Sequence, residues 1–79
     1  MIKGVNHMTI GENVKRFREQ KNMSQRELAS KVLVSSVMIN NVEHDKKMPS
    51  VRLLKDLAVV FGCKTDDLLE TEENEKSAI

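Results

Sequence analysis

The run QRELASKVLVSSVMINNVEH, Gln25 to His44, decides the fold. Leu28, Ala29 and Val32 recur on one face of a helix opening at Ser24, and Ile39 and Val42 turn the same way in a second helix opening at Ser35. Spacings of three and four residues are the period of a helix with one buried stripe. Two such helices joined by a tight turn make a helix-turn-helix unit. Neither stripe is covered by the other alone, so the flanking sequence must supply the rest of a core.

It does so on both sides. Upstream, Ser24 and Glu27 form a capping box, in which the hydroxyl and the carboxylate each accept from the other residue's amide, with Met23 and Leu28 at the positions of a hydrophobic staple. Thr9 and Glu12 form another, so a first helix is predicted over about residues 10–21, with Ile10, Val14 and Phe17 inward and Asn22 ending it in the left-handed conformation. The second helix is predicted from Gln25 to about Val32, and the third after Ser35, stapled by Val34 and Ile39. Downstream, HDKKM (44–48) loses the period before Pro49, which marks a loop. Ser50 caps a fourth helix with Leu54, Leu57, Ala58 and Phe61 inward, closed by Gly62. Thr65 is expected to cap a short fifth helix through about Glu70, with Asp66 and Asp67 at its positive end.

Composition agrees with an all-α fold. Seventy-nine residues make one domain, and with no Trp or Tyr and only two Phe the core must be aliphatic. The single cysteine, Cys63, cannot form an intramolecular disulfide and is expected to fill a core slot as a small hydrophobe. No apolar run of about 18 residues exists to span a bilayer, and no secretory signal opens the chain, so a reducing cytoplasm is expected. His7, His44 and Cys63 lack metal-ligand spacing, so no metal and no cofactor is expected. Without a Gly-rich phosphate loop, a paired carboxylate or a nucleophile with its base, nothing points to an enzyme.

The net charge of +1 hides a division along the chain. Residues 1–64 carry 12 Lys and Arg against 6 Asp and Glu, whereas residues 65–79 carry Lys76 against Asp66, Asp67, Glu70, Glu72, Glu73 and Glu75. A basic body suits a phosphate backbone, although charge alone shifts the balance toward nucleic acid only mildly. The chain therefore divides into an N-terminal arm at residues 1–8, a helical domain at 9–70 and an acidic tail at 71–79, with arm and tail expected to be flexible. The arm is either a frayed end or a segment that touches DNA or a second subunit.

The third helix carries the chemistry. At about 100° per residue, Ser36, Asn40, His44, Val37 and Asn41 fall within an arc of roughly 140°, opposite Ser35, Ile39 and Val42. The outward arc holds no Arg or Lys. Asn can pair bidentately with adenine N6 and N7, Ser can donate or accept, and a valine methyl can pack on the thymine methyl, so this arc favours A·T pairs if it reads DNA. The plain alternative is a solvated polar face.

Taken in order, IGENVKRFREQKNMSQRELA, VSSVMINNVE, the PS that opens the fourth helix, LAVVFG and DDLL resemble the lambda-repressor/Cro-like helix-turn-helix proteins, the XRE family of bacterial and phage regulators, over about residues 9–70. The resemblance implies a compact five-helix DNA-binding domain whose third helix enters the major groove of double-stranded DNA. It places base reading on Ser36, Val37, Asn40 and Asn41, and phosphate contacts on Ser24 and Gln25 at the start of the second helix and on His44, Lys46 and Lys47 after the third. Ser24 and Gln25 as mere caps, and Lys46 and Lys47 as an ordinary solvated loop, stay open as alternatives. It also implies a structural ion pair between Arg18 and Glu43. Leu33 and Asp45 stand where the family often has Gly, which puts the tilt of the third helix in question, since a bulky residue at positive φ costs on the order of 1–2 kcal/mol. Val59, outside the inward stripe, with Val60, Leu68 and Leu69, is a candidate contact between two copies.

The expected function is thus a sequence-specific transcriptional regulator, a repressor reading an A·T-rich near-palindrome as a homodimer. The alternative is a protein-interaction module, such as an antitoxin, that keeps the fold with weak DNA specificity.

Overall fold

The computed structural model describes residues 7–69 and 71–72. Its elements are β1 (His7–Met8), α1 (Ile10–Gln20), α2 (Gln25–Lys31), α3 (Ser36–Glu43), α4 (Val51–Phe61), α5 (Thr65–Leu68) and β2 (Thr71–Glu72). α3 packs against both α1 and α2, while α5 closes the far side against α1 and α4. The five helices follow in the order that the periodicity predicts and pack as the compact domain that the resemblance implies.

Local chemistry sets the helix starts. Thr9 Oγ1 accepts from Glu12 N–H at 3.1 Å while Thr9 N–H donates to Glu12 Oε1 at 3.0 Å, and Ser24 with Glu27 repeats the exchange at 3.0 and 2.8 Å. Ser35 and Ser50 cap α3 and α4 by accepting from Met38 and Leu53 N–H. Gly62 ends α4 at φ 71° and Asn22 follows α1 at φ 57°, both in the left-handed region. The expected cap at Thr65 is displaced by one residue. Thr65 already lies inside α5, and Lys64, whose side chain has no acceptor, sits at the cap while its N–H donates to Asp67 Oδ2 at 2.9 Å.

Val14, Leu28, Ile39, Val42, Leu57 and Leu68 are sealed from solvent and draw one residue or more from every helix. Phe17 and Phe61 stack with centroids 5.5 Å apart and Arg16 lies over Phe17, joining α1 to α4. Asn13, wholly buried, donates to the Leu68 and Leu69 carbonyls at 3.2 and 2.9 Å and accepts from Arg16 Nη2 at 3.2 Å. It thereby satisfies carbonyls that the end of α5 would leave without partners.

A second tie joins the two flanks of the helical domain. β1 pairs antiparallel with β2, His7 opposite Glu72 and Met8 opposite Thr71, so the last two residues of the expected arm and the first two of the expected tail are paired. The rest of both segments, residues 1–6 and 73–79, and Glu70 lie outside the described residues.

Leu33 and Asp45 adopt φ 59° and 58°, the geometry glycine would accept without strain, so both turns keep the expected form despite their side chains. Only Asp45 gains from it. Asp45 Oδ1 accepts from Gly11 N–H at 3.0 Å and Oδ2 from Thr9 Oγ1 at 2.7 Å, whereas the Leu33 side chain is 90% exposed. Leu33→Gly is therefore expected to raise stability by up to about 1 kcal/mol, relief of strain exceeding the added freedom of the unfolded chain. Asp45→Gly is expected to lower it by about 1–2 kcal/mol through the lost charged hydrogen bonds. Urea midpoints of the two variants check this pair of opposite signs; a lower midpoint for Leu33→Gly refutes the strain argument.

Cys63 is half-buried, and burial, aided by the nearby Asp67, pushes its thiol pKa above the ordinary value. Less thiolate is then present at any given pH, so iodoacetamide should alkylate Cys63 more slowly at pH 8 than it alkylates the urea-unfolded chain. Equal rates, followed by mass spectrometry, would contradict this.

Candidate nucleic-acid interface

Three apolar side chains seat α3. Ile39 and Val42 are buried and Met38 half-buried, while Ser36 and His44 are exposed, Asn40 and Asn41 are half-exposed, and Val37 is 66% exposed. The outward arc is the one the helical period requires. The structure brings Ser36, Val37, Asn40 and Asn41 onto one open surface, with Lys46 and Lys47 exposed in the loop just beyond.

Polar chemistry fixes the far end of that helix. Glu43 is buried and accepts from Arg18 Nε at 2.6 Å and Arg18 Nη2 at 3.1 Å, and Arg18 Nη1 donates to Met23 O at 2.8 Å. The bond to Glu43 raises the Arg18 pKa above its already high value, against the opposing effect of burial. Gln25 Nε2 donates to Glu43 Oε1 at 3.0 Å, and Asn40 Nδ2 reaches Gln25 Oε1 at 3.4 Å. Gln25, placed by the resemblance against DNA, is thus engaged inward as well, bridging the ion pair to an outward residue of α3. Ser24 spends its hydroxyl as an acceptor on the α2 cap.

The loop after α3 is shaped by its own backbone. The Lys46 and Lys47 amides converge on Asn41 O at 2.8 and 3.3 Å, which ends α3 and holds both lysines beside it. His44 Nδ1 lies 2.8 Å from Asn40 O, leaving Nε2 as the nitrogen without a backbone partner. Between His44 and the two lysines stands Asp45, an acid at odds with phosphate binding. Its carboxylate is turned onto the start of α1, where the helix end favours a negative charge.

Gly11 makes that approach possible. A Cβ there would run into Val42 O and stand 2.7 Å from both Glu43 O and Asp45 Oδ1, so α1 could not lie as close to the end of α3. Gly11 and Asn13 were not among the residues singled out from sequence, and Asp45 was singled out only for standing where the family often has Gly, not as a partner of Thr9 and Gly11. A glycine inside a well-capped helix was the available signal for Gly11; nothing local marks Asn13 or the partners of Asp45.

One expectation is corrected. Leu68 has 0% exposure and belongs to the core, because α5 turns it beneath α1 and α4; it offers no surface to a second copy. Val59 is 79% exposed, Leu69 exposed and Val60 half-buried, and Val59 and Val60 line a groove with Leu33 rather than with Leu69. Among the described residues no helix is long and apolar enough to cross a membrane.

With the fold and this surface in place, comparison with known proteins is informative. The helix-turn-helix family model matches residues 14–68, spanning α2, α3 and the helices that seat them. The chain belongs to that family, the DNA-binding transcription regulators of the lambda-repressor/Cro-like (XRE) type. It is 39% identical over 62 residues to an uncharacterised HTH-type transcriptional regulator of Archaeoglobus fulgidus, covering 78% of this chain and 87% of that protein. It is 33% identical over 66 residues to the HTH-type transcriptional activator BcrR of Enterococcus faecalis, covering 84% of this chain but only 32% of BcrR. Among solved structures, the P22 c2 repressor in complex with a synthetic operator superposes with a TM-score of 0.76 at 29% identity, over 78% of this chain and 94% of that one.

Because Glu43 is buried, removing its partner leaves an uncompensated charge. Arg18→Met is expected to destabilise the domain by about 3–5 kcal/mol, far beyond the roughly 0–1 kcal/mol of a surface pair. Guanidinium unfolding of the variant measures it, and a loss below about 1 kcal/mol would mean that the pair is only a surface contact.

Proposed function

We propose that this protein is a sequence-specific regulator, a repressor, that reads an A·T-rich near-palindromic operator in the major groove as a dimer. The observation that carries the reading is the outward arc of α3: short polar side chains and one valine, no cation, flanked by basic residues one turn away. Asn40 and Asn41 each offer the paired donor and acceptor that match adenine, and Val37 offers a methyl surface for thymine. Lys46, Lys47 and His44, with Ser24, Gln25 and the amides that open α2, take phosphates on either side, which fixes register without carrying sequence information.

A single α3 reaches few bases, so two copies reading half-sites about one DNA turn apart, roughly 34 Å, supply the needed specificity. Leu69, exposed just beyond α5, is left to make the contact between copies. Repression rather than activation follows the likeness to the P22 c2 repressor on its operator; the likeness to BcrR, an activator, is the opposing precedent.

Selection of bound sites from a random duplex library at moderate salt, with native protein and Asn41→Ala in parallel, tests this reading. The expected result is an A·T-rich inverted repeat whose preference relaxes at one position per half-site in the variant, by about 1–3 kcal/mol. Replacing thymine with deoxyuridine at the position facing Val37 should weaken native binding, and affinity should fall steeply with salt. If no sequence rises above non-specific background, the operator reading fails and the protein-interaction alternative stands.

A further inference from the structure

Leu33 is strained and exposed at once. It holds a left-handed conformation, φ 59°, that a β-carbon disfavours, and its side chain is 90% exposed, so neither backbone nor packing accounts for a leucine there. Strain that stability does not require points to a use outside the folded core. Across from it, Val59 on the outer face of α4 is 79% exposed. The two line one open groove of about 290 Å³ between the end of α2 and α4, with Lys31, Arg52 and Asp56 at its rim. A second hollow of about 330 Å³ extends it along Leu33 and Arg52 toward Ser50. Neither Lys31 nor Arg52 has a carboxylate within salt-bridge distance among the described residues. None of Ser36, Val37, Asn40 or Asn41 lines either hollow.

We infer that this groove docks an acidic amphipathic helix of another protein, its apolar side on Leu33 and Val59 and its carboxylates on Lys31 and Arg52. The charge pattern selects that occupant. A second copy would bring the same two cations against their counterparts with one Asp56 per copy to offset them, whereas an acidic helix neutralises both. An apolar helix face in an apolar groove, with flanking charges fixing orientation, is a recurrent mode of peptide recognition. The groove shares no lining residue with the proposed base-reading set, so the inference does not depend on which bases α3 reads.

The test is titration of the isotope-labelled full chain with a synthetic 16-residue helical peptide carrying leucines on one face and glutamates on the other, followed by backbone amide shifts. A second peptide with lysines for glutamates serves as the control. The expected result is saturable shifts at Lys31, Leu33, Arg52 and Val59, sparing Ser36 to His44, with the lysine peptide inert. Leu33→Gly and Arg52→Glu should each weaken binding at least tenfold; loss of folding cannot explain the first, since that change relieves strain. Absence of saturable shifts overturns the inference. So do equal responses to both peptides, shifts centred on α3 and Lys46–Lys47, or a concentration-dependent change at the same residues without peptide, which would make the groove a contact between copies.

Discussion

The Arg18–Glu43 pair is the constraint on which the rest of the interface depends. α3 is eight residues long and sends only Ile39 and Val42 fully into the core. Burying two such side chains contributes about 1.5–3 kcal/mol each, which holds a helix down but does little to set its rotation or slide. A bidentate guanidinium is directional. By gripping Glu43 through Nε and Nη2 and the Met23 carbonyl through Nη1, Arg18 fixes the end of α3 and the turn that leads into α2 with one side chain.

α1 makes a second grip on the same end of α3. Gly11 and Arg18 are seven residues apart, about 10 Å along the helix axis. At the first, the bare backbone lies against the Val42 and Glu43 carbonyls and donates to Asp45; at the second, the ion pair closes. Asp45 thereby turns a strained residue into a clasp, and it removes a carboxylate from the loop that presents Lys46 and Lys47. Leu33 shares the backbone conformation without any such return within the domain, which is why the two positions differ in meaning.

Much of this was legible in the sequence, and the division follows range. The capping boxes at Thr9 and Ser24, the left-handed turns at Asn22 and Gly62 and the outward arc of α3 rest on interactions within a few residues, and each appears where the spacing placed it. The Arg18–Glu43 pair spans 25 residues and came from the family resemblance, not from spacing. The bonds from Asn13 to residues 55 and 56 positions away, and the clasp between Asp45 and Gly11, join elements that no local pattern relates. Leu68 departs from expectation for the same reason: on a four-residue helix the period is too short to say which side is covered, and only the packing of α5 on α1 and α4 decides it.

The proposed base-reading set explains why so short a helix needs so much fixing. Asn and Ser are short and Val37 is blunt, so their atoms reach base edges only if the α3 backbone lies close to the groove floor, with less side-chain slack than a long arginine would allow. A small roll of the helix then moves an amide out of bidentate register. The chain of hydrogen bonds from Arg18 through Glu43 and Gln25 to Asn40 opposes that roll directly, since it runs from the buried charge to the outward face without passing through the apolar contacts. On this reading Gln25 does more than meet a phosphate: it transmits the rigidity of the ion pair to a side chain that meets the bases. For the proposed base-reading set, specificity written in short polar residues and a helix locked by a buried ion pair are therefore one design, because the first works only where the second holds.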